Sequence, residues 1–355
     1  MKERYYGLDL LRIIAMCGIV LLHLLGKGGI LDLASENSFT YWSMWFLEIL
    51  AFCSVNIFAL ISGYLGYGKN KFNSYRAFDL ICIVATYSVI ITAIIYFIFP
   101  SNTSIIKYLY DGLFSSITGR YWYITCYIPL LSLAPFINQF LQKITIEKHR
   151  LFILVLFLSI IPTVFDRDFF ITNFGSSTLW LFVCYVIGAY MKRCPPKYEK
   201  NYKYFLIYII CAFTLLIVNI AGYQILSTNI RYAISYTSPI VLIMAMSVFR
   251  IFETVKLSDC KYSKRLLIML SGAAFDVYII HNHVYVAEKI LGGNFGFILN
   301  HNIFVSVLML FGSVALIYIV PSIVGVLRKK FFEIIKLRKL FDKITKNKLS
   351  YSLDD

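Results

Sequence analysis

The sequence predicts an all-α, polytopic membrane protein of about ten transmembrane helices, with both termini in the cytoplasm. Three observations predict it. The first is composition: 59% of the 355 residues are hydrophobic and only 15% charged, with a mean hydropathy of +0.73. Soluble domains lie nearer half apolar and a quarter charged. The second is the recurrence of apolar windows of bilayer length along the whole chain. The third is a strict alternation of basic and base-poor connections between those windows.

The windows place spans at about 8–25, 41–65, 78–99, 121–142, 151–165, 177–191, 204–221, 232–249, 266–287 and 302–326. One set of connections holds Lys2, Arg4, Lys69, Lys71, Arg76, Lys143, Lys148, Arg150, Lys192, Arg193, Lys197, Lys200 and Lys203. It continues with Arg250, Lys256, Lys261, Lys264 and Arg265, then nine basic residues from Arg328 to Lys348. The alternate set holds only Lys27, Lys107, Arg120, Arg167, Arg231 and Lys289. That is 27 basic residues against 6, with Arg12 left inside the first span. The positive-inside rule therefore puts the basic loops and both termini in the cytoplasm.

The same distribution explains the net charge of +15 as a topology signal and removes nucleic acid as a partner. MKERYY ahead of an apolar run resembles a signal peptide, but Arg12 and His23 interrupt the core and no A-x-A cleavage pattern follows. It reads as an uncleaved first span. The eight cysteines, without a CxxC pair or metal-ligand spacing, read as small buried hydrophobes, so no metal is expected. Residues 1–326 form one transmembrane domain. Residues 327–355 read as a basic amphipathic cytoplasmic tail, with Phe331, Ile334, Ile335, Leu337, Leu340, Phe341 and Ile344 mostly along one face toward membrane lipids.

Ionisable residues inside spans cost roughly 2.5–3.5 kcal/mol each on insertion scales and mark functional sites. In the first span, Arg12 and His23 stand eleven residues apart, which puts them on one helix face roughly 16 Å apart along the axis. Asp9 stands one turn from Arg12 and is placed to pair with it. With the topology above, Arg12 lies near the cytoplasm and His23 near the outside. Glu48 reaches a similar level from the second span, and Arg120, Tyr121, Trp122 and Tyr123 sit at the outer mouth of the fourth. The ninth span carries Asp276 at mid-depth, then Tyr278, His281, Asn282 and His283. Convergence of these polar groups on the outer half implies that they line a cavity or pair together. At a spacing of two, at most one of His281 and His283 faces it together with His23. His149 and His301 fall in loops and read as solvated.

These residues resemble the acyltransferase family 3 of integral membrane proteins, which acylate cell-surface glycans and other acceptors. Arg12 and His23 resemble its Arg-x10-His signature, and Ile61 to Tyr64 its Ile-Ser-Gly-Tyr run. Trp122, Pro135 and Asn138 are similar to its aromatic stretch followed by Pro and Asn, and Tyr278 with His281 to its late Tyr-x-x-His span. Asp276 departs from the small residue expected before Tyr278. The resemblance implies a ten-helix core in the plasma membrane that takes an acyl group, commonly acetyl from acetyl-CoA, and delivers it to a glycan or lipid-linked glycan. Acetyl-CoA would be a donor substrate; no permanently bound cofactor is implied.

Carried over, His23 is the catalytic histidine, as base or acyl relay, with Glu48 able to orient it. Arg12 and Arg76 belong to the donor site, where arginine suits the anionic nucleotide end of coenzyme A. Arg120, Tyr121, Trp122, Tyr123, Tyr278, His281 and Asn282 are the acceptor-side candidates. Some members add an extracytoplasmic hydrolase-like domain. None is expected here, so the chain either acylates its acceptor directly or works with a separate extracytoplasmic transferase. A transporter or flippase for a glycan or lipid intermediate is the alternative use of such a cavity, although no matching broken helices or repeat halves stand out.

Overall fold

The computed structural model describes residues 4–99, 106, 110, 113–114, 119–196, 201–230, 233–256 and 260–345, apart from the side chain of Ile344. Lys2, Lys107, Lys197, Lys200, Arg231, Lys346 and Lys348 of the charge pattern lie outside the described residues.

The fold is all-helical, and no β-strand occurs among the described residues. The main helices are α1 (Tyr6–Leu25), α2 (Phe39–Phe52), α3 (Ser54–Gly66), α4 (Ser74–Ile98), α5 (Trp122–Lys143) and α6 (Ile146–Ile160). They continue with α7 (Thr178–Arg193), α8 (Asn201–Leu226), α9 (Pro239–Glu253), α10 (Lys261–His281), α11 (Ile303–Ile334) and α12 (Leu337–Thr345). Their starts follow local chemistry. Ser38, Asn73, Thr145, Ser177 and Asn302 each accept a hydrogen bond from the backbone N–H three residues on, which satisfies an otherwise unpaired helix-start donor. Pro239 opens α9, where its missing N–H costs nothing.

Among the described residues, seven segments are long and apolar enough to cross a membrane: Tyr6–Leu33, Phe39–Gly66, Ser74–Ile98, Trp122–Lys143, Ile146–Phe165, Asn201–Leu226 and Ile303–Ile334. Helices α7, α9 and α10 overlap the remaining three expected spans but are not among these seven segments. Helices α7 and α9 have only 16 and 15 residues. Helix α10 is long enough but carries Lys261, Lys264, Arg265 and Asp276. All three contribute heavily to the buried core. The outer face of the bundle is apolar, with Ile94, Phe97, Phe205, Ile217, Leu308 and Leu316 exposed, as a lipid-facing surface requires.

Helix α1 sits centrally, packed on α2, α3, α9, α10 and α11. The tightest neighbours are α3 and α7. A Cβ on Gly63 would collide with the Tyr185 carbonyl, and one on Gly188 with the Leu60 carbonyl. Small residues let two helix backbones touch where lipid offers no hydrophobic drive. That contact gives the Ile61–Tyr64 motif its glycine.

Residue 327 lies within a continuous helix. Helix α11 runs on to Ile334 and ends at Lys336, whose φ of 51° is left-handed. The helix that follows, α12, has a mixed environment. Leu337 and Phe341 are buried, with the Phe341 ring edge-on to Tyr75 and tilted against Phe78 of α4, while Phe331, Ile334, Ile335 and Leu340 stay exposed. Arg328 is drawn into the bundle as the partner of Asp276. His149, expected in solvent, is fully buried: the first turn of α6 faces α7, so its Nε2 bonds the Val186 carbonyl and its Nδ1 meets Arg193. His301 is exposed as expected.

Candidate active site

One cavity of about 930 Å³ is lined by Asp9, Arg12, Met16, Ile19 and His23 of α1 and by Lys27 just beyond its end. The helix face predicted from the Arg12–His23 spacing is therefore a cavity wall. At its basic end it adjoins a second cavity of about 1190 Å³, which shares Arg12, Ser62, Arg76 and Tyr127 with the first.

The basic end is built around Asp9. This buried carboxylate accepts from Arg4 at 2.7 Å, Arg12 at 2.8 Å and Ser271 at 3.3 Å. A buried carboxylate ringed by donors is a fixed anchor, and it aims the Arg12 guanidinium along the cavity wall. Arg76 donates to the Tyr127 hydroxyl at 3.4 Å. The second cavity adds Lys69, Lys71 and Arg338, with Asp342 as its one acidic lining residue. Its rim is held by Asn138, which donates to the carbonyls of Gly66 and Lys69 and accepts from the Tyr185 hydroxyl at 2.9 Å. The end is thus preorganised for a polyanion.

At the other end, His23 Nδ1 lies 2.9 Å from His281 Nε2. The ring tautomers follow from the network. His281 Nδ1 is 2.5 Å from the Val277 carbonyl, which only accepts, so that nitrogen carries the proton. His281 Nε2 then offers a lone pair, His23 Nδ1 must donate to it, and His23 Nε2 is left with a free lone pair. Among the described residues no hydrogen bond engages that nitrogen, and the half-buried ring lines the cavity. The pair is a base held in its acceptor tautomer by a second imidazole. Lys27, one turn beyond His23, donates to Asn282 Oδ1 at 2.7 Å.

The other sequence candidates divide. Arg120, Trp122, Tyr123, Tyr278 and Asn282 line the cavity with His23. Tyr121 does not: it is buried, and its hydroxyl donates to the Ile279 carbonyl at 3.1 Å, tying α5 to the end of α10. His283 turns away toward Thr92, so of the two late histidines only His281 meets His23. Glu48, expected to orient the imidazole, lines a neighbouring chamber instead. Helical periodicity sets a residue's level along its own helix but not its azimuth toward a neighbour.

Asp276 accepts from Tyr87 at 2.8 Å and from Arg328 at 2.9 Å. Its departure from a small residue is met by Gly325, where a Cβ would come within 2.6 Å of the carboxylate. Sequence reading also missed Asn56, which holds the Tyr236 carbonyl at 2.8 Å and the Trp180 indole at 2.9 Å. Its only signal was an amide inside an apolar span. No group of metal-ligating side chains occurs among the described residues.

A family model described as an acyltransferase domain, acyltransferase family 3, matches residues 5–320. The chain belongs to the acyltransferase family 3. No curated protein and no solved structure matches it. The match takes in Arg12, His23 and every described lining residue of their cavity except Arg4, and leaves out the end of α11 and all of α12. In this acyltransferase Arg12 and His23 line a single cavity, and the buried His281 backs His23 at its Nδ1.

Proposed function

We propose that this membrane acyltransferase moves an acyl group, by preference acetyl, from cytoplasmic acyl-CoA to a hydroxyl of a surface polysaccharide or lipid-linked glycan. The observation that carries the reading is a single cavity walled by Arg12 at its basic end and by a tautomerically fixed His23 at the other. In this reading the ten long helices cross the plasma membrane with the basic end in the cytoplasm, as the charge alternation supports.

The nucleotide phosphates sit among Lys69, Lys71, Arg76 and Arg338, and the pantetheine arm passes Arg12 toward His23. The acceptor hydroxyl attacks the thioester carbonyl carbon while His23 Nε2 takes its proton. The new C–O bond forms, the C–S bond breaks, and the departing thiolate recovers the proton from His23. His281 stabilises the imidazolium by accepting its Nδ1–H, and the Lys27 ammonium adds positive charge near the carbonyl oxygen. Helix α1 therefore serves both substrates: one face holds the donor at its basic end and the base at the other.

Membranes containing the wild type or His23→Ala, supplied with radiolabelled acetyl-CoA, test the reading. Label is expected in the glycan fraction with the wild type and absent with the variant. Equal labelling by both overturns the role given to His23.

A further inference from the structure

We infer that α12 is a donor-recognition helix, in which Arg338 grips a phosphate at the nucleotide end of acyl-CoA. It thereby sets a preference for a nucleotide-bearing thioester over a bare pantetheine thioester. The inference rests on the transfer reading above and deepens it, because α12 lies beyond the family match, which ends at residue 320.

The left-handed backbone at Lys336 separates α11 from α12. Within α12, residues four apart share a face. Leu337 and Phe341 form the apolar face and are 7% and 5% exposed. Phe341 docks on α4, its ring centroid 5.5 Å from that of Tyr75 and 4.8 Å from that of Phe78. Arg338 and Asp342 form the next face round the helix, and with Phe341 they line the cavity of about 1190 Å³. The docking of Phe341 therefore fixes where Arg338 stands.

Tyr75 supplies the second hold. The Arg338 guanidinium carbon lies 5.5 Å from the centroid of its ring, and the next residue of α4, Arg76, lines the same cavity. A ring face positions a guanidinium through its charge and leaves N–H groups to bind an oxyanion. A helix that served only as a lipid anchor would turn Leu337 and Phe341 toward the bilayer. Here both are turned into protein, and Arg338 is presented to the cavity. Coenzyme A carries phosphates on its ribose and in its diphosphate, so arginines from α4 and α12 can each take one. A bare pantetheine thioester offers neither. Donor binding then bridges the two helices and stabilises the docked state of α12. A phospholipid headgroup offers the same phosphate chemistry, and lipid composition separates the two sources.

The test measures binding of acetyl-CoA and of S-acetylpantetheine to the full chain in phosphatidylcholine nanodiscs, with and without added phosphatidylglycerol. Arg338→Gln should raise the Kd for acetyl-CoA about tenfold in both lipids and leave that for acetylpantetheine within about twofold. Arg338→Lys should recover only part of the loss. Hydrogen exchange should show residues 337–345 gaining protection on addition of acetyl-CoA but not of acetylpantetheine, and Phe341→Ala should abolish that gain. An unchanged Kd in Arg338→Gln, equal weakening of both thioesters, a defect seen only with phosphatidylglycerol, or no protection of 337–345 overturns the inference. Those results leave the transfer reading standing, since the wild type still binds acetyl-CoA. A wild type that binds no acetyl-CoA in either lipid overturns the transfer reading and this inference with it.

Discussion

Replacing His281 with Phe removes the lone pair that receives the His23 Nδ1–H and keeps a flat ring in the buried site. Two losses follow. The His23 N–H is left unsatisfied in a desolvated position, at about 1–3 kcal/mol, or roughly 5- to 150-fold in rate. The ring is also free to place its proton on Nε2, and that tautomer has no lone pair with which to accept from the acceptor hydroxyl. Together these predict a fall in kcat of about 10²–10³-fold, within the range of a general base. The proposed donor site, at Arg12, Arg76 and Lys69, lies at the far end of the cavity system, so KM for acetyl-CoA should stay within about twofold. His281→Gln restores an amide oxygen as acceptor and should recover part of the loss. Steady-state kinetics with labelled acetyl-CoA on purified protein reads both parameters. A His281→Phe enzyme with kcat within about threefold of wild type would refute the reasoning. So would kcat and donor affinity falling together with no rescue by Gln.

Further outcomes follow from the same structure. Arg12→Gln should raise KM for acetyl-CoA by about tenfold, and Arg12→Lys should rescue little, since Asp9 orients a guanidinium fork; donor titration checks both. Asp276→Ala strands the buried Arg328 and should cost about 3–5 kcal/mol, whereas pairing it with Arg328→Met should return most of that in thermal unfolding. Asp168 organises the loop between α6 and α7. Burial pushes its carboxyl up, but hydrogen bonds from the Thr172 N–H and hydroxyl and the Phe174 N–H outweigh that and hold it below the ordinary value of 3.8. The loop's stabilisation is therefore complete above about pH 5 and is lost as pH falls through the depressed folded-state value. Hydrogen exchange should show residues 166–176 protected at neutral pH in the wild type and unprotected in Asp168→Asn.

The α1 face was legible because it needs only helical periodicity and the cost of burying charge. Arg12 and His23 had to share a surface, and that surface is a cavity wall. The Asp9–Arg12 pair was equally local, one turn apart. What lay beyond reach depended on azimuth between helices. Glu48 was expected near the level of His23 but lines a neighbouring chamber, while the packing of α10 on α1 brings the His281 imidazole to it. The glycine of the Ile61–Tyr64 motif was readable as a pattern, but its reason is the Tyr185 carbonyl on a helix far along the chain. Asn138 and Asn56 are latches whose partners are backbone carbonyls, which no side-chain pattern announces. The solvated reading of His149 failed on a boundary: α6 begins at Ile146, several residues before the apolar run suggested.

The central claim is that an acyl group enters at the basic end and reaches an acceptor beside His23. Oriented, sealed proteoliposomes test it directly, with labelled acetyl-CoA on the basic side alone and a glycan acceptor on the opposite side alone. Acetylated acceptor should form on the opposite side with the wild type, and none with His23→Ala. Product that forms only when donor and acceptor share a compartment, or that forms equally with the variant, would contradict it.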